Sequence, residues 1–406
     1  MKILILTQYY PPEIGAPQNR LHELAVRLKA KGSEIEVLTA LPNYPKMEIH
    51  EKYKRGENRV EYIDDIKVIR SWIYVSKSKS IISRLLNYFS FVWSSYWRGR
   101  KLGNYDYILV ESPPLFLGYS AMALSRKLNA KLIFNVSDLW PESAEKLGIV
   151  TNKRLLRLAY KLEEKCYLSA SIITGQTQGI VDDIKGRFSQ KKVFWLPNGV
   201  DLSFYNPAKV SQSDFRQNKG FKTDDLIFFY GGILGHAQGL ELILETANAL
   251  KKYEDLHFVI QGSGPEKEKL IDLKKRYALK NMHFFEPIGK DKMPEVLSAI
   301  DIAMVPLKKL DLFKGAIPSK IFEALAMEKP LLLGVEGEAK HHFIDKAQAG
   351  LFYIPEDIEN LKEQIIYFRN NREEVKIMGK RGRKYVSDFF NRNKIAEDLY
   401  NQLQNM

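Results

Sequence analysis

The stretch PSKIFEALAMEKPLLLG at residues 318–334 indicates the fold more clearly than any other part of the chain. Pro318 suits the start of a helix, and Ser319 can cap that helix. The apolar run at 331–333 then has the composition of a buried parallel strand, and it ends at a glycine. A helix followed at once by such a strand is part of a βαβ unit, which predicts an α/β protein.

The first turn of the same helix carries a cation and a carboxylate. Lys320 stands beside the free N–H groups expected at a helix start, and together they suit a diphosphate. Glu323 follows within the same turn and can accept hydrogen bonds from ribose hydroxyls. This pair of groups predicts a site for a nucleotide sugar.

Strand-like and helix-like patterns alternate along the whole chain, which predicts two α/β series. In the first series we predict strands at Lys2–Leu6, Ile35–Thr39, Ile66–Arg70, Tyr107–Val110, Lys131–Val136, Ser171–Thr174 and Val193–Leu196. In the second we predict Leu226–Tyr230, Leu256–Gln261, Met282–Phe285, Ile302–Val305 and Leu331–Leu333. A polar stretch between Pro197 and Asp225 separates the series, and 406 residues suffice for two cores.

Composition restricts the location and the partners. A net charge of +13 favours an anionic partner, which can be nucleic acid, lipid or a phosphorylated ligand. No RNP-type strand, zinc-ligand spacing or recognition-helix signature accompanies the charge, so nucleic acid is not expected. The single cysteine, Cys166, fits a reducing compartment. Because the apolar runs suit neither a signal peptide nor a membrane span, a cytoplasmic location is expected.

Residues 72–101 combine aromatic and basic side chains without an acidic one. Apolar residues recur there at helical spacing, at Ile81, Leu85, Tyr88, Val92 and Tyr96. We interpret the segment as an amphipathic surface helix that docks on an anionic membrane. The predicted membrane contacts are Trp72, Arg84, Trp93, Trp97 and Arg98. The alternative is a helix packed in the first half of the chain with a solvated basic edge.

Two motifs follow the first two predicted strands, and ligands of open parallel sheets bind at strand ends. Gly15 either allows a ligand to approach the backbone closely or serves only in a turn. Asn43 and Tyr44 belong to the rigid, polar segment at 42–45, which suits contact with a sugar or acceptor. The same segment also fits a simple proline turn, and the residues alone do not separate the two.

A third strand end in the first half carries Asp138 just before a helix that starts near Pro141. Its carboxylate can hold an acceptor hydroxyl or stabilise positive charge on a sugar ring, or it can cap the helix. Trp140, two residues on, is predicted to contact the acceptor.

Three loops of the second half are candidates for the donor. The glycine-rich loop at 230–239 contains Gly232 and His236 and suits a phosphate, although it has neither Walker nor GxGxxG spacing. Gly264 and Ile288 lie in loops after two further predicted strands. The resemblance of the motifs to a known family implies that the first loop lies near the nucleotide and the second near the base. Both of these loops also fit plain turns.

The motifs resemble, in their order, the family 4 glycosyltransferases of the GT-B fold. They are YYPPE at 9–13, NYP at 43–45, DLWP at 138–141, NGVD at 198–201 and PSK at 318–320. The resemblance covers nearly the whole chain and implies two Rossmann-like domains that face each other across a cleft. It implies an acceptor-binding domain at 1–200 and a nucleotide-sugar-binding domain at 201–385, with a C-terminal helix at about 386–406 packing back on the first domain.

The PSK sequence is similar to a bacterial surface-polysaccharide subgroup of fucosamine-transferase-like enzymes. That similarity implies retaining transfer of an acetamido sugar, of L-fucosamine type or another N-acetylhexosamine. The donor would be a UDP-sugar, and the acceptor a saccharide linked to polyisoprenyl diphosphate at the inner face of the membrane.

The chain departs from the family pattern at three positions. The first glutamate of the family falls at Gly315, and the arginine and lysine of its glycine-rich loop fall at Ile233 and Gln238. We therefore expect Lys320 to carry much of the charge of the leaving group, with His236 assisting.

Metal chemistry is not predicted, since no Asp-x-Asp motif or metal-ligand spacing occurs, and no cofactor is expected besides the UDP-sugar donor. Two other functions stay open. A UDP-sugar epimerase on a similar fold would form product from the donor alone. A non-catalytic, membrane-associated protein that binds glycan or lipid would explain the missing glutamate and loop cations.

Overall fold

The computed structural model describes residues 1–13, 15–44, 46–56, 59–78, 80–210 and 214–406. It divides the chain into two compact units. Unit 1 comprises residues 1–198 and 392–406, and unit 2 comprises residues 199–391. The chain thus leaves unit 1 once and returns to it at its C-terminus.

Unit 1 is built on one twisted sheet. Its strands are β1 (Lys2–Leu6), β2 (Glu34–Ala40), β3 (Val60–Ile63), β4 (Ile66–Ser71), β5 (Tyr107–Ser112), β6 (Lys131–Val136), β7 (Ile172–Gly175) and β8 (Val193–Trp195). Their order is β3-β4-β2-β1-β5-β6-β7-β8, and neighbours are parallel except for the antiparallel pair β3–β4. The order reverses between β1 and β5, so the loops that follow these two strands flank the expected binding crevice.

Helices cover both faces of this sheet. They are α1 (Ala16–Ala30), α2 (Ile81–Gly99), α3 (Leu117–Lys127), α4 (Glu142–Lys146), α5 (Lys153–Ser169) and α6 (Gln178–Arg187). Alternate residues of β1 pack into two hydrophobic clusters, because strand side chains alternate between faces. Ile3 and Ile5 join Leu21 of α1, whereas Leu4 and Leu6 lie on the face covered by α2, α3, α5 and α6.

Unit 2 repeats the design with a wholly parallel set of strand pairs. Its strands are β9 (Leu226–Gly231), β10 (Leu256–Gln261), β11 (Met282–Phe285), β12 (Ile302–Pro306), β13 (Leu331–Gly334) and β14 (Gly350–Phe352). Their order is β11-β10-β9-β12-β13-β14. The order reverses between β9 and β12. Parallel strands with helical crossovers in both units confirm the predicted α/β class.

The helices of unit 2 are α7 (Phe215–Asn218), α8 (Glu241–Ala249), α9 (Lys267–Arg276), α10 (Met293–Ala299), α11 (Lys320–Ala326), α12 (Glu338–Lys340), α13 (Ile358–Asn370) and α14 (Arg372–Phe389). The last helix, α15 (Arg392–Gln404), belongs to unit 1 and packs against α1. There Arg27 Nε donates to Asn393 Oδ1 at 2.7 Å. The break before α15 falls beside Asn391, which forms a β-bridge with Val200.

Candidate functional site

The predicted donor residues of unit 2 gather at the carboxyl edge of its sheet, around the reversal of strand order. The loop after β9 carries Gly232 and His236. The segment after β12 leads into α11, whose first residue is Lys320. Loops at such a reversal form the binding crevice of doubly wound sheets.

Glycine is required where the loops after β9 and β10 pack backbone against backbone. Gly232 N donates to Gln261 O, and Leu234 N donates to Ser263 O, both at 2.9 Å. A Cβ on Gly262 would lie 1.8 Å from Gly232 O, and one on Gly264 would lie 2.4 Å from Leu234 O. Both glycines also have positive φ, at 153° and 159°. Gly264 therefore supports the glycine-rich loop by its small size.

Lys320 lies directly under the glycine-rich loop. Its Nζ is 3.7 Å from the centre of the Tyr230 ring, and a Cβ on Gly232 would lie 3.0 Å from that nitrogen. Burial lowers the pKa of Lys320 to about 7, although the nearby Glu323 carboxylate opposes the shift. An anion bound at the loop would favour the ammonium form, because opposite charge raises the pKa of an amine.

Glu323 lies beside Lys320 at this site. Both line a cavity of about 30 Å³ together with Gly231 and Met293. The two side chains are three residues apart on α11, and side chains at that spacing lie on one face of a helix. The structure thus brings the predicted cation and carboxylate to one place.

The predicted capping of this helix is wrong. Ser319 has helical dihedrals (φ −59°, ψ −28°) and makes no side-chain capping bond, whereas a capping serine needs extended dihedrals. Ile321 N donates to Pro318 O at 3.1 Å, and Phe322 N donates to Ser319 O at 3.1 Å. These two amides already have partners within the turn. We therefore expect the charge of Lys320 to contribute more to anion binding than the N–H groups of the helix start do.

His236 has a cationic neighbour that the sequence did not reveal. Lys308 Nζ lies 2.9 Å from His236 Nε2 and 3.3 Å from His236 Nδ1. Lys308 follows β12, so it comes from the strand beside β9. The sequence shows a lysine two residues after the end of β12, which alone does not indicate this contact. Its place at the glycine-rich loop follows from the strand order.

Two further positions lie in loops at this edge of the sheet: Ile288, a predicted donor residue, and Gly315, where the family's first glutamate falls. Ile288 is half-buried in the loop after β11, next to the loop after β10, and Gln261 Nε2 donates to Glu286 O at 3.2 Å between the two. Gly315 ends a 3₁₀ turn at 311–315, and a Cβ there would meet no heavy atom of the described residues within 4 Å. A side chain at the position of the family's first glutamate would therefore not clash at its Cβ.

In unit 1, a buried glutamate organises the predicted acceptor loops. Glu13 Oε1 accepts hydrogen bonds from the backbone N of Asn43 at 2.8 Å and of Tyr44 at 2.9 Å, and Oε2 accepts one from Tyr10 N at 3.3 Å. Burial raises the pKa of Glu13, while these three amide bonds oppose the shift. Glu13 thus ties the loop after β1 to the loop after β2.

Of the predicted acceptor residues there, Tyr44 is accessible and Asn43 is not. Tyr44 is partly exposed and packs edge-on against Tyr9, with ring centres 6.0 Å apart. Asn43 is fully buried, and its Nδ2 donates to Leu41 O at 2.9 Å, so its side chain holds the loop from inside. Pro45 of the same motif lies outside the described residues. Gly15 has extended backbone (φ 178°) and precedes α1, where the Gln18 side chain approaches it.

Asp138 lies at the carboxyl edge of the same sheet and has a side-chain partner. Ser143 Oγ, in α4, donates to Asp138 Oδ2 at 2.7 Å. Trp140 packs edge-on against Phe116, with ring centres 5.4 Å apart. The N-cap residue of α4 is Pro141, so Asp138 contacts this helix through the side chain of Ser143 and not as its cap.

Beneath this edge lies a buried ionic network that the sequence reasoning missed. Arg20 of α1 pairs with Glu111 of β5, with nitrogen-to-oxygen distances of 2.6 and 2.8 Å, and also donates to Ser137 Oγ at 2.8 Å. Asn135 Nδ2 donates to Glu111, and Thr174 Oγ1 donates to Asn135 Oδ1 at 2.7 Å. The network fixes the segment that carries Asp138.

Helix α2 packs with its polar side inward. Its buried side chains include Ser83, Asn87, Ser94 and Ser95, and the last three hydrogen bond to residues outside the helix. Its outward side chains include Ile82, Leu86, Phe89, Trp93 and Trp97, with Arg84, Arg98 and Arg100 among them. A helix packed on the core of a soluble protein normally buries its apolar side and exposes its polar side. The predicted apolar stripe proves half-buried at Leu85, Tyr88, Val92 and Tyr96, so the exposed face is a different one.

Exposed leucines extend this surface on α5, which the sequence reasoning also missed. α3 packs against both α2 and α5 on the same face of the sheet. The outer side of α5 presents Leu155 and Leu158 with Arg154, Arg157 and Lys161. We define the outer side chains of α2 and α5 as the basic-apolar face. Trp72 is exposed beside it.

Within the described residues, no helix is long and apolar enough to cross a bilayer. Among the same residues, no group of three or more His, Cys, Asp or Glu side chains is arranged to hold a metal ion.

Each unit is an α/β unit built on a mainly parallel sheet, and unit 2 carries a glycine-rich loop above a buried lysine. These features are those of a GT-B type transferase. Residues 18–204 match the model of Glycosyltransferase Family 4, and residues 211–385 match that of Glycosyl transferases group 1. The chain belongs to the family 4 glycosyltransferases, which confirms the resemblance drawn from its motifs.

Individual relatives agree with this assignment. The chain is 27% identical to the putative colanic acid biosynthesis glycosyl transferase WcaI of Escherichia coli K12, over 80% of this chain and 81% of the relative. It is 22% identical to the alpha-monoglucosyldiacylglycerol synthase of Acholeplasma laidlawii, over 92% and 89%. Anabaena HepE, solved in complex with UDP-glucose, superposes with a TM-score of 0.71 at 16% identity over the full length of both chains, which shows a shared fold.

Proposed function

We propose that the protein is a retaining, metal-independent glycosyltransferase that moves an acetamido sugar from a UDP-sugar to a lipid-linked saccharide in surface polysaccharide biosynthesis. The observation that carries the proposal is the position of Lys320 under the glycine-rich loop, with Glu323 on the same wall. The family membership, the relative named for colanic acid biosynthesis and the UDP-glucose complex of HepE support it.

The proposed reaction assigns a task to each group. The bond between the anomeric carbon and the donor phosphate oxygen breaks, and its electron pair leaves with UDP. The acceptor hydroxyl oxygen bonds to the anomeric carbon on the same face, and its proton passes to the departing phosphate. Lys320 stabilises the charge that develops on the phosphate, Glu323 orients the ribose, and Asp138 places the acceptor.

Calorimetric binding of UDP in EDTA tests the donor site. We expect micromolar affinity for the wild type and a loss of about 10-fold or more for Glu323→Ala, because a charged acceptor for the ribose hydroxyls is removed. The matched control is Glu359→Ala, which removes an exposed carboxylate of α13 that pairs with Lys362.

Three results would contradict this proposal. Equal affinities for Glu323→Ala and the wild type would remove Glu323 from the site. UDP binding that appears only when a divalent cation is added would show that the donor site depends on a metal. Product formed from the donor without an acceptor would instead identify an epimerase.

We further propose that the enzyme works at the cytoplasmic face of the membrane and that the basic-apolar face docks on anionic lipid. Ile82 is 72% exposed and Trp93 is 61% exposed, while polar residues of α2 are buried. Tryptophan and arginine side by side suit the boundary between headgroups and acyl chains, and Arg100 stacks on the Trp97 ring at 3.7 Å. A synthase of monoglucosyldiacylglycerol among the relatives fits a lipidic acceptor.

Co-sedimentation with vesicles tests the docking face. We expect the double variant Trp93→Ser/Trp97→Ser to bind vesicles of phosphatidylglycerol and phosphatidylcholine about 10-fold more weakly or worse, because two large apolar side chains no longer enter the interface. The control is Tyr62→Ser on the edge strand β3, since Tyr62 is 70% exposed and belongs to neither α2 nor α5. Sedimentation of the double variant at the wild-type level would exclude the face as the docking site.

A further inference from the structure

We infer that Lys308 is the second cation of the donor diphosphate site and replaces the loop cations that are absent at Ile233 and Gln238. The inference rests on the proposed function and deepens it. It starts from the contact of Lys308 Nζ with the His236 ring, at 2.9 Å from Nε2. This contact joins a lysine from the β12 segment to the middle of the glycine-rich loop.

Lys308 is held against that loop by its backbone and by its side chain. Lys308 N donates to Ala237 O at 2.9 Å. A Cβ on Gly239 would lie 3.2 Å from Lys308 Cγ, so the stem of the lysine occupies the space that the glycine leaves open. Since β9 and β12 are neighbours at the reversal of strand order, this fixed position lies in the crevice expected for the ligand.

The charge of Lys308 is available to an anion. Within the described part of the chain, Lys308 has no carboxylate in ion-pair range, and the nearby Glu241 pairs with Lys269 at 2.5 Å. An ammonium has three N–H donors, and the imidazole of His236 accepts one of them. The remaining donors can bind phosphate oxygens.

The site also needs a second positive group. Burial lowers the pKa of Lys320 to about 7, so near neutral pH a part of the empty protein carries no charge at that position. A diphosphate carries more negative charge than one such lysine neutralises. Lys308 is half-exposed and can supply this second positive group.

Calorimetry with three probes tests the inference, on the full chain in each case. We expect Lys308→Ala to weaken UDP binding by about 10- to 100-fold, because a charge-assisted bond to phosphate is lost, and to leave uridine binding unchanged. Inorganic pyrophosphate should lose affinity together with UDP. The matched control, Lys309→Ala, changes the net charge equally at an exposed neighbour and should bind UDP as the wild type does.

The outcomes separate this inference from the proposed function. If the wild type binds no UDP, both fail. If it binds UDP and Lys308→Ala binds as tightly as Lys309→Ala, the inference on Lys308 fails and the donor site stands. A parallel loss of uridine binding would show that Lys308 only shapes the loop, which also overturns the inference. Recovery of UDP binding in Lys308→Arg would support it.

Discussion

Replacing Lys320 with methionine is expected to lower turnover by about 10²- to 10³-fold, because the variant loses the positive charge closest to the leaving diphosphate. Methionine has a similar length and suits the buried space, so the protein should stay folded. Burial already disfavours the ammonium form, as the lowered pKa of about 7 shows, and an uncharged side chain relieves that cost. Turnover with donor and acceptor, together with the melting temperature, measures both effects.

The matched control for this variant is Lys314→Met. Lys314 is exposed six residues earlier and pairs with Asp311 at 2.7 Å, so its loss should change turnover less than about two-fold. Turnover of Lys320→Met within a few-fold of the wild type would show that the charge assignment is wrong.

The same residue gives the donor site a pH dependence with a definite sign. Below pH 7 Lys320 in the empty site is mainly charged and above pH 7 mainly neutral, since its pKa is lowered to about 7. UDP affinity should therefore fall as the pH rises through 7. UDP ionises alike with every variant, so the difference between the wild type and Lys320→Met isolates this contribution, which should be absent if Lys320 does not contact the phosphates.

The strand pattern of the chain was largely predictable. Buried parallel strands have continuous apolar runs, and those predicted at 2–6, 131–136 and 256–261 have the same bounds as β1, β6 and β10, which are almost wholly buried. β3 was not predicted, because it is an edge strand with exposed Val60 and Tyr62 and an incomplete apolar pattern. Its hairpin turn at Asp64-Asp65 has positive φ at both residues. Aspartate tolerates this conformation, but an aspartate pair alone does not predict such a turn.

The candidate site was predictable where it is local and not where it depends on topology. Lys320 and Glu323 stand three residues apart, so helical periodicity alone sets them on one face. Lys308 and His236 are 72 residues apart and meet only because β12 lies beside β9. Helix α2 is a third case, since apolar periodicity predicted the helix, but only its packing shows that Ser83, Asn87, Ser94 and Ser95 are buried.

The network under Asp138 provides the second large expected effect. Arg20 and Glu111 are both nearly fully buried and 2.6 Å apart, so removal of one partner leaves the other charge buried and unpaired. We expect Arg20→Met to lower the free energy of unfolding of unit 1 by about 3–5 kcal/mol. Tryptophan fluorescence during urea unfolding measures this directly, because Trp72, Trp93, Trp97, Trp140 and Trp195 all lie in unit 1.

A surface pair in the same unit is the control. Lys31 and Glu397 are 3.3 Å apart and exposed to solvent, so Lys31→Met should cost less than about 1 kcal/mol. Adding Glu111→Leu to Arg20→Met should recover only part of the loss, because Asn135 and Ser137 also depend on Glu111. If Arg20→Met unfolds at the same urea concentration as Lys31→Met, the network does not stabilise the unit. If it is destabilised and the folded fraction also has a raised KM for the acceptor, the network positions the segment at Asp138 as well as holding the sheet.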